Sequence, residues 1–156
     1  MPKKSIFTDK EAAFLRELAK NKVIFMIVGL AAAALQGAPV VTQDIDLWFE
    51  NLSDPKLSRV LKKFGASLLS PPIGLSPPLF VGKGVELFDI VLHVHGLKNF
   101  REEMKNTIAV DMGGKKVRAL SLERIIKSKE FLRRPKDLLT LPVLKDALMA
   151  IRAKRK

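Results

Sequence analysis

Apolar residues follow several different spacings along the first part of the chain. In residues 8–21 they recur three and four positions apart behind a Thr-x-x-Glu capping signature, which predicts a helix. Residues 23–28 are continuously apolar and end at Gly29, which predicts a strand buried on both faces. Residues 30–36 return to a helical pattern. The chain is therefore expected to open with a helix, a strand and a second helix.

The pattern changes to strict alternation at residues 42–50. Apolar side chains at positions 45, 47 and 49 share one side of this segment, while Asp44, Asp46 and Trp48 share the other. Alternation of this kind is typical of a strand that has one face in the core. The segment therefore predicts a strand that carries an acidic pair on its outer face.

The middle of the chain predicts a helix and then an irregular loop. Ser53 or Asp54 can cap a helix that begins with Pro55 and ends near Gly65. Four prolines and a glycine between positions 71 and 78 cannot join a strand ladder, so this segment is expected to redirect the chain.

Two hairpins and two helices are predicted for the remainder. Residues 79–81 and 85–94 flank Gly82-Lys83-Gly84, and residues 108–119 turn at a Gly-Gly pair. Helical patterns then cover residues 121–133 and 135–152. We predict one mixed α/β (α+β) domain over residues 1–156, whose β-sheet core of about 23–119 is flanked by helices and followed by C-terminal helices over about 121–152.

Composition narrows the classes of function. The sequence has no cysteine, which excludes disulfides and thiolate-bound zinc and favours a cytoplasmic protein. Its longest apolar tract, residues 23–35, is shorter than the roughly 20 residues that a membrane-spanning helix needs. The formal charge of +12 favours anionic partners such as nucleoside triphosphates, nucleic acid or an acidic protein. A solvated basic surface with no partner explains the charge equally well.

Three acids carry the candidate chemistry. Alternation places the carboxylates of Asp44 and Asp46 on one strand face, about 6–7 Å apart. Their mutual repulsion is relieved by a hard divalent cation, which takes oxygen ligands. Asp89 is the only acid inside a long apolar strand pattern, where we expect it to be buried and to need a partner. Solvated acids at a sheet edge, or an Asp89 bonded to a backbone amide or a lysine, are the alternatives.

These residues resemble the nucleotidyltransferases of the DNA polymerase β superfamily, especially the small ones related to type IV toxin–antitoxin components. That family has a strand, a glycine turn, a helix, an Asp-x-Asp strand and a third Asp on a later strand. The matching segments are Val28-Gly29, residues 32–37, Thr42-Gln43-Asp44-Ile45-Asp46-Leu47 and Phe88-Asp89-Ile90, with a C-terminal likeness over residues 121–129, Arg134, Lys136 and Asp137.

The resemblance implies a metal-dependent transfer of a nucleoside monophosphate. Asp44, Asp46 and Asp89 would be the catalytic residues and the ligands of Mg²⁺ or Mn²⁺. The triphosphate, with ATP expected, would lie against Gly29, Leu30, Thr42 and Lys129. The acceptor would be a hydroxyl of a protein, an RNA or a small molecule.

The sequence also departs from the family pattern. Leu30 stands where a second Gly or a Ser is usual, and Val40 or Val41 replaces the basic residue that commonly precedes the Thr-x-Asp segment. These changes favour a rival hypothesis, a catalytically weak binding module or toxin–antitoxin component. A basic nucleic-acid-binding domain with no nucleotide site is a third hypothesis.

Several other residues have weaker assignments. Lys127 is a second candidate for phosphate contact, and a solvated helix face is its alternative. Trp48 is expected to cover its strand under a C-terminal helix rather than to stack on a base. His93 and His95 are two apart on the predicted strand, a spacing that suits a metal but lacks an evident third ligand beyond Asp89.

Overall fold

The computed structural model describes residues 6–70 and 77–155. Within these ranges seven strands form one mixed sheet with six helices packed on it. The helices are α1 (Asp9–Lys20), α2 (Gly29–Leu35), α3 (Pro55–Lys63), α4 (Phe100–Met104), α5 (Leu122–Leu132) and α6 (Pro135–Lys154). The strands are β1 (Phe25–Val28), β2 (Ile45–Phe49), β3 (Ser67–Leu69), β4 (Leu79–Val81), β5 (Phe88–Val91), β6 (Thr107–Asp111) and β7 (Lys116–Leu120).

The sheet order is β3-β4-β5-β2-β1-β7-β6. Strands β1 and β7 are parallel, as are β2 and β5, and the other neighbouring pairs are antiparallel. The predicted mixed sheet with flanking helices is therefore confirmed. Among the helices of the described ranges, none has the length and apolar character to cross a membrane.

Local sequence signals explain the first elements. The Thr8 hydroxyl accepts a hydrogen bond from the backbone N–H of Glu11 at 3.2 Å, and the Glu11 carboxylate accepts one from the Thr8 N–H at 2.9 Å. This capping box starts α1 because it satisfies two N–H groups that lack helical partners. Every residue of β1 is buried, as its continuous apolar pattern predicts.

The Gln36 side chain joins the end of α2 to the C-terminal part of the fold by two hydrogen bonds. The Gln36 amide nitrogen donates to the carbonyl of Leu120 at 2.8 Å, and its amide oxygen accepts from the N–H of Leu122 at 2.9 Å. Both contacts lie where β7 ends and α5 begins. Gln36 therefore fixes the start of α5 against the end of α2.

The prediction for the second half of the chain is correct in type but not in every boundary. Both hairpins form, β4 with β5 and β6 with β7. Strand β5 is shorter than the predicted 85–94, so His93 and His95 lie beyond it rather than on it. Neither β3 nor α4 was predicted. Of the proline-rich segment, residues 71–76 lie outside the described residues.

Candidate active site

The parallel pair β2–β5 brings two acids side by side. Asp46 is the register partner of Asp89, and Ile45 is the partner of Phe88. Asp44 lies one residue before β2, in the segment that enters the strand, and it is exposed. The strand that carries Asp46 therefore pairs directly with the strand that carries Asp89.

Asp89 is exposed, and the expectation of a buried carboxylate was wrong. Its neighbours Phe88 and Ile90 are buried on the opposite face of β5. A strand turns successive side chains to opposite faces, so an acid between two core residues points away from the core. Apolar residues occupy most of residues 85–94, so the sequence did not show that Asp89 lies on the exposed face of the strand.

The Asp46 carboxylate lies directly over Gly29. A Cβ atom placed on Gly29 would be 2.6 Å from Oδ2 of Asp46, which is closer than real contacts allow. Gly29 also has φ +68°, a left-handed conformation that side chains rarely adopt. Both facts require glycine here, because the turn from β1 into α2 passes immediately beneath the carboxylate.

The environment of Asp46 works against its negative charge. Burial, then the charge of Asp89, then that of Asp44, raise the pKa of Asp46 to about 6. The positive charges of Lys129 and Lys136 oppose this shift only in part. The pKa of Asp89 is also raised, by partial burial of the carboxyl and by the charge of Asp44. The three acids therefore repel one another across the β2–β5 pair.

The acids do not form a complete metal cage by themselves. In residues 6–70 and 77–155, no three His, Asp or Glu side chains are grouped closely enough to hold a metal ion. What the described structure offers is a pair of in-register carboxylates with a third acid before them. Mg²⁺ is commonly held by one or two carboxylates, with its other ligands supplied by water and substrate phosphates.

A cavity of about 480 Å³ opens beside Asp46 and Gly29. Its walls are largely apolar and come from the end of β5 and from α5, with Ile90 and Ile125 among them. Lys129 and Arg134 provide positive charge at its edge. A small organic group with an anionic end matches this lining.

Both cations at the cavity edge are held by one buried acid, Asp137. Its side chain is fully buried, and its oxygens accept from Lys129 Nζ at 3.2 Å, from Arg134 Nε at 2.7 Å and from Arg134 Nη2 at 3.2 Å. The backbone N–H of Arg134 adds a fourth bond at 3.1 Å. The Arg134 guanidinium, followed by the Lys129 ammonium, therefore holds the pKa of Asp137 well below its usual range despite burial.

The structure brings some predicted nucleotide-binding residues together and separates others. Gly29 and Lys129 share the cavity with Asp46. The hydroxyl of Thr42 donates to the carbonyl of Asp44 at 2.9 Å, and Thr42 lines a different cavity. Leu30 is partly buried and packs against the core. Their roles in nucleotide binding stay predictions.

The weaker candidates are also placed. Trp48 is 3% exposed and meets Phe100 of α4 edge to face, so α4 covers part of its ring. Its predicted cover by a C-terminal helix stays a prediction. His93 Nε2 lies 3.1 Å from His95 Nδ1 at the mouth of the Asp46 cavity. Lys127 is exposed on α5 and does not line that cavity.

Comparison with known proteins identifies the fold. A search with the sequence finds no matching family profile. It also finds no matching curated protein. Solved structures do match.

Three of these structures illustrate the likeness. The antibiotic-resistance factor ANT(2'')-Ia, solved in complex with adenylyl-2''-tobramycin, matches 96% of this chain and 100% of its own at 16% identity and TM-score 0.58. A Thermotoga maritima protein assigned to the nucleotidyltransferases matches 83% of this chain and 86% of its own at 22% identity and TM-score 0.58. A nucleotidyltransferase-like antigenic protein from Paracoccidioides brasiliensis matches 95% and 89% at 18% identity and TM-score 0.52. The chain has the nucleotidyltransferase fold, as its sequence resemblance implies.

Proposed function

We propose that this protein is a metal-dependent nucleotidyltransferase that moves a nucleoside monophosphate from a triphosphate, with ATP expected, to a hydroxyl acceptor. One observation carries the proposal: Asp46 stands in register with Asp89, and its carboxylate leaves no room for a side chain at Gly29, where α2 begins. A carboxylate that its own surroundings destabilise is poised to take up a cation. The nucleotidyltransferase fold supports the same reading.

The acids suit a hard divalent cation such as Mg²⁺ or Mn²⁺. Asp46 and Asp89 would hold it, with water and substrate phosphates supplying other ligands, because carboxylate oxygens are the ligand type that these ions prefer. Asp44 stays a predicted third ligand. When bound, the cation supplies charge that offsets the repulsion among the acids and the triphosphate. The pairing of Asp46 with Asp89 supports this fit, as does the pKa of Asp46, which burial and the charges of Asp89 and Asp44 raise to about 6 although Lys129 and Lys136 oppose the shift.

The chain's own residues then arrange the transfer. The N–H groups at the start of a helix have no intrahelical partners, so the turn at Gly29 leaves donors that suit phosphate oxygens. Lys129 adds a positive charge at the edge of the same cavity. The acceptor oxygen forms the new bond to the α-phosphorus as the bond to pyrophosphate breaks. The exposed Asp89 carboxylate takes the proton from the acceptor hydroxyl.

A second function is favoured by the two departures from the family pattern. Leu30 presents no hydroxyl beside the Gly29 turn, and Val41, where a basic residue is usual, is 91% exposed. A module that binds nucleotide or a partner without efficient turnover, as one component of a toxin–antitoxin pair, would accommodate both. The two functions differ in whether any label is transferred.

Incubation with Mn²⁺ or Mg²⁺ and each labelled triphosphate, alone and with cell extract, tests the proposal. We expect label to reach a macromolecule or small molecule with the wild type and not with Asp46→Asn. Asp146→Asn is the matched control, because Asp146 is an exposed acid on α6 with no side-chain bond within the described ranges. Transfer that persists in Asp46→Asn would refute the assigned site.

Thermal melting separates the two functions when no transfer is seen. A cation and nucleotide bound to the native state raise the melting temperature by mass action. A wild-type shift that Asp46→Asn lacks, without label transfer, would indicate the binding module. A wild-type melt that is indifferent to Mn²⁺ and nucleotide together would exclude both.

A further inference from the structure

Helix α4 is flanked by two cavities whose rims are positively charged. The first, of about 350 Å³, is lined by Lys98, Lys105, Lys127 and Arg124 together with Glu102 and Asn106. The second, of about 300 Å³, meets α4 at Met104 and carries Lys116 and Arg118. We call Lys98, Lys105, Lys116, Arg118 and Lys127 the α4 basic surface. It does not include any lining residue of the Asp46 cavity.

Three residues that line the first cavity, Lys98, Asn106 and Arg124, are bonded to one buried acid. Glu103 of α4 is fully buried and accepts from Arg124 Nε at 2.8 Å, from the Lys98 backbone N–H at 2.9 Å and from Asn106 Nδ2 at 3.3 Å. One buried carboxylate therefore joins α4, α5 and the segment before α4. The hydrogen bonds of Glu103 therefore hold in place the backbone segments that carry the basic residues.

Most of the positive charge on this surface is not neutralised. Across the described ranges, the ammonium groups of Lys105 and Lys127 make no hydrogen bond or ion pair, and neither do the charged ends of Lys116 and Arg118. Lys98 faces Glu102 at 3.6 Å, with both side chains at least half exposed. Such an exposed ion pair contributes little to stability, so a competing anion can readily replace Glu102 as the partner of Lys98.

We propose that the α4 basic surface binds the sugar-phosphate backbone of a polynucleotide. The charges extend over both cavities, so they match a chain of phosphates better than a single one. Lys116 and Arg118 are two apart on β7 and so point to the same side of the sheet. The aromatic ring of α4, Phe100, packs on Trp48 and offers no platform for bases. Recognition is therefore through phosphates, without a sequence preference.

The surface lies close along the chain to the proposed catalytic cavity. Lys127 of the surface and Lys129 of the cavity both lie on α5. The segment from His95 to Lys98 leads from one to the other, and the Ser128 hydroxyl fixes it by donating to the His95 carbonyl at 2.6 Å. A bound polynucleotide would serve as the hydroxyl acceptor, a role that rests on the proposed function. Backbone binding itself does not depend on it.

The test measures binding of a labelled oligoribonucleotide by fluorescence anisotropy, without divalent ions or triphosphate. We expect Lys105→Ala with Lys127→Ala to weaken binding on the order of tenfold at moderate salt and to reduce the salt slope by about 1.4–1.8, since each lysine–phosphate contact adds about 0.7–0.9. The control removes the same charge elsewhere, with Lys62→Ala and Lys83→Ala beside the β3–β4 end of the sheet. The control should leave the slope unchanged.

Three outcomes would overturn the proposal. The first is that the wild type does not bind the oligonucleotide at low salt, and the second is that the control variant loses as much affinity as the test variant. The third is that polyglutamate binds as tightly as the oligonucleotide, which would indicate an acidic protein partner. DNA of the same sequence distinguishes an RNA ligand from any polynucleotide. Asp46→Asn should bind the oligonucleotide normally yet lose label transfer. This variant therefore distinguishes an error in the proposed function from an error in the proposed binding surface. Matching thermal melts of all variants establish that each is folded.

Discussion

Two carboxylates near one cavity, Asp46 and Asp137, have opposite environments. Asp137 is fully buried, accepts four hydrogen bonds and is paired with two cations. Burial and the charges of Asp89 and Asp44 raise the pKa of Asp46, and Lys129 and Lys136 offset this only in part, whereas the pKa of Asp137 is lowered. A carboxylate that the protein satisfies by itself holds structure together, whereas one that the protein leaves uncompensated is available to a ligand.

The largest expected effect removes the satisfied acid. Asp137→Asn should lower the free energy of unfolding by about 3 kcal/mol, because it leaves Lys129 and Arg134 facing a neutral amide in a buried position. Urea denaturation measures this. Glu123→Gln is the control, since Glu123 pairs with Arg152 where both side chains are more than half exposed. Equal losses in the two variants would contradict the role of Asp137.

The pH dependence of this contribution has a definite sign. The folded pKa of Asp137 is depressed, so the stability it contributes is present above its unfolded pKa near 3.8 and is lost as the pH falls below that value. The difference between wild type and Asp137→Asn should therefore shrink in acid.

The second prediction tests how closely Asp46 is fitted to its turn. Gly29→Ala and Gly65→Ala both place a side chain at a positive φ, +68° and +67°, but only Gly29 has a close neighbour. The backbone penalty of about 1–2 kcal/mol applies to both. Gly29→Ala should lose about 1 kcal/mol more, because Asp46 and the turn must move apart. Urea denaturation of the pair measures the difference, and equal losses would show that Asp46 is free to move.

The third prediction removes the uncompensated acid. Asp46→Asn should stabilise the apo protein by about 1–2 kcal/mol near pH 7–8, after discounting the shift for solvent screening. The folded pKa of Asp46 is raised, so wild-type stability falls as the pH rises from about 3.8 to about 6. The advantage of Asp46→Asn should therefore disappear below about pH 4. Melting curves across this range measure it, with Asp146→Asn as the unaffected reference.

The smallest expected effect concerns nucleotide affinity. Leu30→Ser should bind triphosphate with Mg²⁺ about fivefold more tightly, since a hydroxyl beside the Gly29 turn adds a contact worth about 1 kcal/mol. Calorimetric titration compares it with Leu35→Ser, at the other end of α2. Tightening in both variants, or in neither, would separate Leu30 from the phosphate site.

Sequence patterns predicted the elements that position the acids. Three sequence signals were strong: the buried run of β1, the glycine at the β1–α2 turn and the alternation of β2. Each of these patterns is compatible with few other secondary structures. Helix α4 was missed since its five residues cannot show a helical period. Asn99 with Glu102 three residues later was the available signal, and the Asn99 side chain does cap α4.

The candidate site was predictable only in its acids. The resemblance indicated Asp44, Asp46 and Asp89 as a set, but no local pattern indicated that Lys129 and Arg134 bind Asp137. Lys129 and Asp137 are brought together by the tight turn between α5 and α6, where Arg133 has φ +49°. Nothing in arginine's type favours that conformation, so it is set by how the two helices pack.

The central position of β1 in the sheet affects the order of folding. Ile27 pairs with Ala119, so this strand acquires one of its two neighbours only when β7 has been made. Contacts so distant in sequence form slowly, because the chain loses the entropy of closing a long loop before the contact stabilises it. Until then one edge of a wholly apolar strand is unpaired and open to aggregation. During synthesis, the part of the sheet around Gly29 and Asp46 is therefore completed late, after the C-terminal third of the chain has been made.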